Sequence, residues 1–151
     1  MIRAGDIMTR KVISVSEDTS VEDLCGLLFE ARITGAPVVD RDGKLVGIVS
    51  KDDIVGAYFR ESGGEEAKGM KSLIDISEQK SALDRPEKGV RTVADIMTKE
   101  VVTANEDTPV NEICDMMVTE GIHRVPVVRE GVVIGIVSAL NVLEAVLEKK
   151  F

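Results

Sequence analysis

A single histidine, His123, and two cysteines, Cys25 and Cys114, are the only residues of these two types among the 151 of the sequence. A zinc site generally needs four such ligands, several of them closely spaced, so the sequence predicts no metal site. Both cysteines lie on the apolar stripe of a predicted helix, where free cysteine commonly acts as a small hydrophobic residue. We therefore predict neither a metal centre nor a disulfide.

Basic residues are outnumbered, with 19 Lys and Arg against 27 Asp and Glu, and the net charge is -8. This charge opposes binding to nucleic acid or to an anionic membrane surface. No apolar run approaches the roughly 20 residues of a membrane-spanning helix. Residues 1–6 lack the apolar core of a secretory signal. The sequence thus predicts a cytoplasmic protein without nucleic-acid or membrane partners.

Catalytic groups are also scarce. No phosphate loop of the Gly-x-x-x-x-Gly-Lys type occurs, and His123 has no neighbouring serine or cysteine. Hydrolysis and group transfer need an activated nucleophile, an acid–base pair or a metal. We therefore expect a protein that is not an enzyme and that needs no catalytic cofactor.

What the sequence does contain is an internal repeat. The Asp-Ile-Met-Thr motif of 6–9 returns 89 residues later at 95–98, and the Gly-Ile-Val-Ser motif of 47–50 returns 88 residues later at 135–138. Such self-similarity indicates two copies of one folding unit. A unit of about 50 residues buries too little apolar surface to be comfortably stable alone. We expect one compact, pseudo-symmetric domain, with repeats at 1–60 and 92–151 joined by a linker or insert at 61–91.

Each copy is predicted to run strand, helix, strand, strand, helix, an α+β arrangement of two β-α-β-β-α repeats. The first strands are predicted at 12–15 and 101–104 from their β-branched residues. Thr19 and Thr108 have the pattern of helix-capping residues, the second followed by proline at the first helical position. Ser50 and Ser138 are expected to open the closing helices, at roughly 52–60 and 140–149.

The order and duplication of these motifs resemble a tandem pair of CBS domains, also called a Bateman module. The resemblance covers nearly all of the chain outside 61–91 and is closest to a stand-alone CBS protein. It implies a regulatory module that binds AMP, ADP or ATP, or S-adenosylmethionine. It also implies a homodimer, and a regulated partner protein that the sequence does not identify.

The motif Ser50-x-x-Asp53 has two explanations. It is an acidic variant of a helix-capping box, in which both side chains bond to backbone amides. Alternatively, the helix N-terminus suits a phosphate, and the carboxylate can accept hydrogen bonds from both hydroxyls of a ribose. In the resembled family the serine and the acid of this motif contact phosphate and ribose, so the resemblance favours ligand binding.

The resemblance also implies a cleft shared by both repeats. Arg124 offers a forked donor for phosphate and His123 a second donor, although solvated or packed side chains are the alternative for both. Ile122 is more readily explained as a core residue. The nucleotide-binding set implied in this way is Ser50, Asp53, Val102, Thr103, Ile122, His123, Arg124 and Val125.

The second copy departs from the pattern because Asn141 stands where the acid would be. An amide has one acceptor oxygen and no charge, so binding of a ribose diol should weaken. This second set contains no cation, which makes the first the better anion site. The weaker set is Ile13, Ser14, Ile33, Thr34, Gly35, Ala36, Ser138 and Asn141.

Three hypotheses therefore remain open. The chain senses adenine nucleotides, or it senses S-adenosylmethionine with Arg124 binding a carboxylate or nothing. In the third it is a ligand-free interaction module that dimerises through helices 21–31 and 140–149. Leu140, Leu143 and Leu147 form a stripe that fits either core or interface. The 61–91 segment fits a surface crossover or a partner-docking element.

Overall fold

The computed structural model describes residues 1–61 and 92–149. The expectations for 62–91 lie outside these ranges. The mixed helix and strand content and the two-repeat organisation are confirmed. Within the described ranges the helices are α1 Ala4–Ile7, α2 Val21–Ala31, α3 Lys51–Glu61, α4 Val93–Ile96, α5 Val110–Glu120 and α6 Ala139–Leu147, and the strands are β1 Gly35–Val39, β2 Leu45–Ser50, β3 Arg124–Arg129 and β4 Val132–Ser138.

The first predicted strand of each copy is wrong in extent. Only Val15 and Ala104 pair, each through a single parallel bridge, to Val38 and Val127. A turn begins at the very next residue, closed by a hydrogen bond from the backbone N–H of residue 19 to the carbonyl of 16, and from 108 to 105. The chain therefore leaves the sheet before a ladder can form, although its β-branched residues favour one.

The predicted helix caps are each displaced by one residue. Ser20 is the N-cap of α2, and its side chain accepts from the backbone N–H three residues on. Thr19 accepts instead from the N–H of Ser16 at 3.2 Å. In the second copy Pro109 is the N-cap of α5, and Thr108 accepts from residue 105. Both threonines stabilise the preceding turn rather than the helix.

Two hairpins contain the duplicated Gly-Ile-Val-Ser motifs, one at the end of β2 and one at the end of β4. β1 pairs with β2, and β3 pairs antiparallel with β4 from Arg124 opposite Ser138 to Arg129 opposite Val132, with a bulge after Val127. The closing helices α3 and α6 begin directly after β2 and β4, so the predicted positions of their starts are confirmed.

The described residues form two compact units that do not coincide with the repeats. Unit 1 contains Met1–Ser14, Val39–Gly47 and 99–149; unit 2 contains Val15–Val38, 48–61 and 92–98. Each unit thus combines the short N-terminal helix of one repeat with the main helices of the other.

In unit 1 the first nine residues form part of the core. The backbone N–H of Ala4 donates to the carbonyl of Thr108 at 2.8 Å, and Thr9 exchanges backbone hydrogen bonds with Ile136 at 2.8 and 3.0 Å. Ala4 is fully buried and Met8 is 8% exposed. The buried cluster that they join consists of Ala4, Met8, Ala104, Ile113, Val125, Val127 and Val137.

Unit 2 repeats this arrangement with α4. Val93 is fully buried, and its backbone N–H donates to the carbonyl of Thr19 at 2.9 Å. Thr98 and Ile48 exchange two backbone hydrogen bonds, both of 2.9 Å. The segment at the start of the second repeat is therefore held by residues of the first.

The expectation that both cysteines pack as small hydrophobic residues is wrong for Cys25, which is exposed, whereas Cys114 is half-buried. The buried face of α2 is formed by Val21, Leu24 and Leu28. Cys25 follows Leu24 directly and is rotated about 100° from it around the helix axis, so its thiol lies off that face.

Candidate ligand-binding site

The Ser50–Asp53 motif lies where β2 ends and α3 begins. The backbone N–H of Ser50 donates to Oδ2 of Asp53 at 2.8 Å, and the Ser50 hydroxyl donates to the same oxygen at 3.3 Å. Both residues are half-buried. Oδ1 of Asp53 has no hydrogen-bond partner in the part of the chain that the structure describes. One carboxylate oxygen therefore caps the helix, and the other can receive a ligand.

The capping contact alone does not identify a site, because other helices of this chain use it. Asp95 accepts from the N–H of Thr92 at 2.9 Å, and Asp6 accepts from the N–H of Arg3 at 2.8 Å. Both of those aspartates are exposed, whereas Asp53 is half-buried. Partial burial strengthens a charge-assisted hydrogen bond because water screens it less. Asp53 therefore differs from Asp6 and Asp95 in its burial and not in the geometry of its capping hydrogen bond.

The segment that precedes the proline of β1 adjoins this motif. The backbone N–H of Lys51 donates to the carbonyl of Thr34 at 2.8 Å. The Thr34 side chain is exposed, Ile33 is half-buried, and Gly35 and Ala36 are buried. Of these four residues of the weaker predicted set, the structure therefore gives Thr34 the most accessible side chain.

The second copy shows the same relation. The backbone N–H of Ala139 donates to the carbonyl of His123 at 2.8 Å, and Arg124 lies directly opposite Ser138 in the β3–β4 pair. Directly paired residues project their side chains from the same face of the sheet. His123 is exposed and Arg124 half-buried.

The expectation that the segments facing Asn141 lack a cation stays a prediction, and Arg124 pairs with Ser138 of the same motif. The sequence assigned Arg124 to the set of Asp53 alone, whereas the structure places it beside Ser138, at the start of α6. The reason is the hairpin: antiparallel pairing brings the first residue of β3 opposite the last residue of β4. The proposed role of Arg124 with Asp53 stays a prediction.

Both the oxygen and the nitrogen of the Asn141 side-chain amide form hydrogen bonds. Its Oδ1 accepts from the backbone N–H of Ser138 at 2.8 Å and from the Ser138 hydroxyl at 3.1 Å. Its Nδ2 donates to the Thr9 hydroxyl at 3.3 Å. Thr9 ends the first Asp-Ile-Met-Thr motif, a repeat that is visible in the sequence, but no sequence pattern indicates that its side chain reaches Asn141.

The other predicted residues differ in accessibility. Val102 and Thr103 are half-buried, and Ser14 is exposed, as is Ile13 at 39%. Ile122 packs against the core of unit 1, which agrees with its explanation as a core residue, and Val125 is fully buried. Ser50 and Asp53 belong to unit 2, and the other six residues of the first set belong to unit 1. The grouping of the two sets stays a prediction.

Within residues 1–61 and 92–149, no three histidine, cysteine or acidic side chains are arranged so that they could hold a metal ion. None of the helices described there combines the length and apolarity needed to cross a membrane. The cytoplasmic location stays a prediction from the sequence.

The family model of the CBS domain matches residues 4–60 and again 93–148. An uncharacterized protein of Methanocaldococcus jannaschii is 38% identical over 94% of this chain and 89% of its own length. The CBS domain-containing protein CBSX1 of Arabidopsis thaliana, described as chloroplastic, is 31% identical over 97% of this chain and 64% of its own length. An inosine-5′-monophosphate dehydrogenase of M. jannaschii is 29% identical, and this chain spans 23% of it.

Two solved structures resemble this chain over nearly their full lengths. The structure of CBSX2, an A. thaliana protein, in complex with AMP has a TM-score of 0.77 and 28% identity, with 100% of each chain covered. A CBS domain pair in complex with 5′-methylthioadenosine and S-adenosyl-L-methionine has a TM-score of 0.73 and 28% identity, covering 99% of this chain and 98% of that one.

Proposed function

Because the chain belongs to the CBS domain family and contains two copies of the domain, we propose that it is a regulatory module that binds an adenosine-containing ligand and signals its presence to a partner protein. Two structural relatives bind such ligands, AMP in one and S-adenosyl-L-methionine with 5′-methylthioadenosine in the other. The single observation that carries the proposal is that Oδ1 of Asp53, a half-buried residue, has no hydrogen-bond partner in the described residues.

The chemistry of that oxygen suits the cis-diol of a ribose. A carboxylate oxygen has two lone pairs and can accept from both the 2′- and the 3′-hydroxyl. Hydrogen bonds to a charged group contribute about 1.5–3 kcal/mol each. Because Oδ2 keeps the cap in place, ligand binding and helix capping coexist on one side chain, and Asp53 needs no rearrangement to receive the ligand.

An adenine nucleotide is the first choice of ligand, because Arg124 and His123 supply donors that a phosphate can use. The guanidinium of Arg124 offers paired N–H groups for phosphate or carboxylate oxygens. S-adenosylmethionine is the second candidate, favoured by the relative that binds it; Arg124 would then bind a carboxylate. In either case the chain binds rather than transforms the ligand.

A homodimer is also part of the proposal. Leu140, Leu143 and Leu147 of α6 are 62%, 59% and 82% exposed, and Phe29 at the end of α2 is 88% exposed. These apolar side chains lie outside the core, and their exposure on two helices supports the proposal of a contact with a second chain. This agrees with the dimer face predicted at 21–31 and 140–149.

Thermal unfolding with AMP, ADP, ATP, NAD and S-adenosylmethionine tests the function. A ligand present at about 100 times its dissociation constant stabilises the folded chain by roughly 2.7 kcal/mol. For a chain of this size we expect the melting temperature to rise by about 5–10 °C with at least one adenosyl compound. An unchanged melting temperature with all five would leave only the interaction-module hypothesis.

Replacing Arg124 by alanine is expected to weaken binding of ATP or ADP about tenfold or more, and to change adenosine binding little, because the guanidinium contacts phosphate. Arg41→Ala is the matched control, since Arg41 is exposed in the turn between β1 and β2. Titration calorimetry with the three ligands measures both variants. Equal losses for adenosine, ADP and ATP would refute the phosphate contact.

A further inference from the structure

The two copies of the Ser-x-x-Asp/Asn motif share two capping contacts, and in the second copy the Ser138 hydroxyl also accepts from the backbone N–H of Asn141 at 3.2 Å. The backbone N–H of Ser50 and that of Ser138 each donate at 2.8 Å to a side-chain oxygen three residues later. Each serine hydroxyl donates to the same oxygen, at 3.3 Å in the first copy and 3.1 Å in the second. A carbonyl or carboxylate oxygen has two lone pairs. The capping oxygen is therefore fully used in both copies.

What is left for a ligand differs between the copies. Asp53 keeps a second charged oxygen with both lone pairs available among the described residues. Asn141 keeps an amide nitrogen, which can only donate. Its orientation follows from chemistry, since the backbone N–H of Ser138 needs an acceptor and must face the amide oxygen. The nitrogen then points to the Thr9 hydroxyl, 3.3 Å away.

We propose that Asn141, held by Thr9, makes the second motif unable to bind a ribose diol, so that each chain binds one diol-bearing ligand, through Asp53. This inference rests on the proposed function and deepens it by assigning the stoichiometry and the residue that sets it. Thr9 is a positioning residue in this scheme. Thr9 lies in the N-terminal segment of the first repeat, which belongs to unit 1.

Asn141 offers the diol no acceptor for its hydroxyl hydrogens, for two reasons. The hydrogens of its two hydroxyls need acceptors, and the single acceptor of Asn141 already receives two hydrogen bonds from Ser138. The amide nitrogen carries two N–H groups, one of which donates to Thr9, and it cannot accept a hydrogen bond from either hydroxyl of the diol. Asp53 loses no existing hydrogen bond when its Oδ1 accepts from the ligand.

A single substitution at position 141 should create a second site. In Asn141→Asp, one oxygen can keep the cap with Ser138 while the other becomes a charged acceptor, as in Asp53. The Thr9 hydroxyl would still compete for that oxygen by donating to it. Thr9→Val combined with Asn141→Asp removes this competitor and gives a second variant with the same expected outcome.

Titration calorimetry of the full chain provides the test, with either AMP or S-adenosylmethionine as titrant, whichever gives the larger heat with the unsubstituted chain. We expect one ligand per chain for the unsubstituted protein and none for Asp53→Asn at the same concentrations. Asn141→Asp should bind two ligands per chain, and the double variant should bind at the new site at least as tightly. Thermal unfolding of each variant confirms that it is folded.

Two results would overturn the inference while leaving the proposed function intact. One is an unsubstituted chain that binds two ligands and loses one of them in Asn141→Ala. The other is a binding stoichiometry of one that persists in both Asn141→Asp and the double variant. Absence of heat with both titrants for the unsubstituted chain would instead overturn the proposed function, and the inference with it.

Discussion

Replacing Asp53 by alanine is expected to abolish the thermal stabilisation that an adenosine-containing ligand gives this chain. The substitution removes the free Oδ1 and also the Oδ2 that accepts from Ser50 at 2.8 Å. At a ligand concentration of about 100 dissociation constants, roughly 2.7 kcal/mol of stabilisation should disappear. The unliganded chain should lose only the cap, about 0.5–2 kcal/mol, which corresponds to a few degrees in melting temperature.

Asp53→Asn separates the two roles of this residue. The asparagine oxygen can still accept from the backbone N–H of Ser50, as Asn141 does from Ser138 in the second copy. The free acceptor, however, is replaced by an amide donor. We therefore expect a melting temperature within about 2 °C of the unsubstituted chain and no ligand-induced shift. Binding that survives in Asp53→Asn but fails in Asp53→Ala would show that the cap, and not the free oxygen, matters.

Deleting residues 2–9 is expected to unfold unit 1, although most of that unit belongs to the second repeat. The deletion removes Ala4 and Met8 from the buried cluster and leaves the backbone groups of Ile136 without the partners that Thr9 supplies. Loss of a buried Met side chain alone costs about 2–5 kcal/mol, and loss of each of the two backbone hydrogen bonds adds about 0.5–1.5 kcal/mol. The sum is comparable to the stability of a whole domain.

Hydrogen exchange measured on β3 and β4 reports this loss directly, with exchange in these strands expected to approach that of an unfolded chain. Met8→Leu is the matched control, because a volume-conserving change costs less than about 1.5 kcal/mol. Gly135→Ala should give an intermediate result of about 1–3 kcal/mol, since its Cβ would lie 2.9 Å from Cγ of Met8. Undiminished protection in the deletion variant would contradict the placement of the first nine residues in this core.

The repeat and the main elements of the fold could be predicted because they depend on local patterns. Helical spacing of apolar residues gave α2, and the serines at the ends of β2 and β4 marked the starts of α3 and α6. The exchange of N-terminal segments could not be predicted. Residues 4–8 and 93–97 occupy equivalent positions of similar sequence, so each fits the core of either repeat, and the hydrophobic pattern is the same in both arrangements.

The candidate site was predictable at the level of residue type. The Ser50–Asp53 spacing indicates a cap and an acid at the start of a helix, and Asn141 is visible as a departure from that pattern. Which oxygen of Asp53 is left for a ligand depends on hydrogen-bond geometry, which spacing does not specify. The contact of Asn141 with Thr9 joins residues 132 positions apart, and no local pattern encodes such a pair.

Calorimetric titration of the unsubstituted chain with AMP and with 2′,3′-dideoxy-AMP tests the central claim most directly, because the two compounds differ only in the diol. If both hydroxyls donate to the Asp53 carboxylate, the dideoxy compound should bind at least about a hundredfold more weakly, since each such hydrogen bond contributes about 1.5–3 kcal/mol. Equal affinity for the two compounds would contradict recognition of a ribose by Asp53.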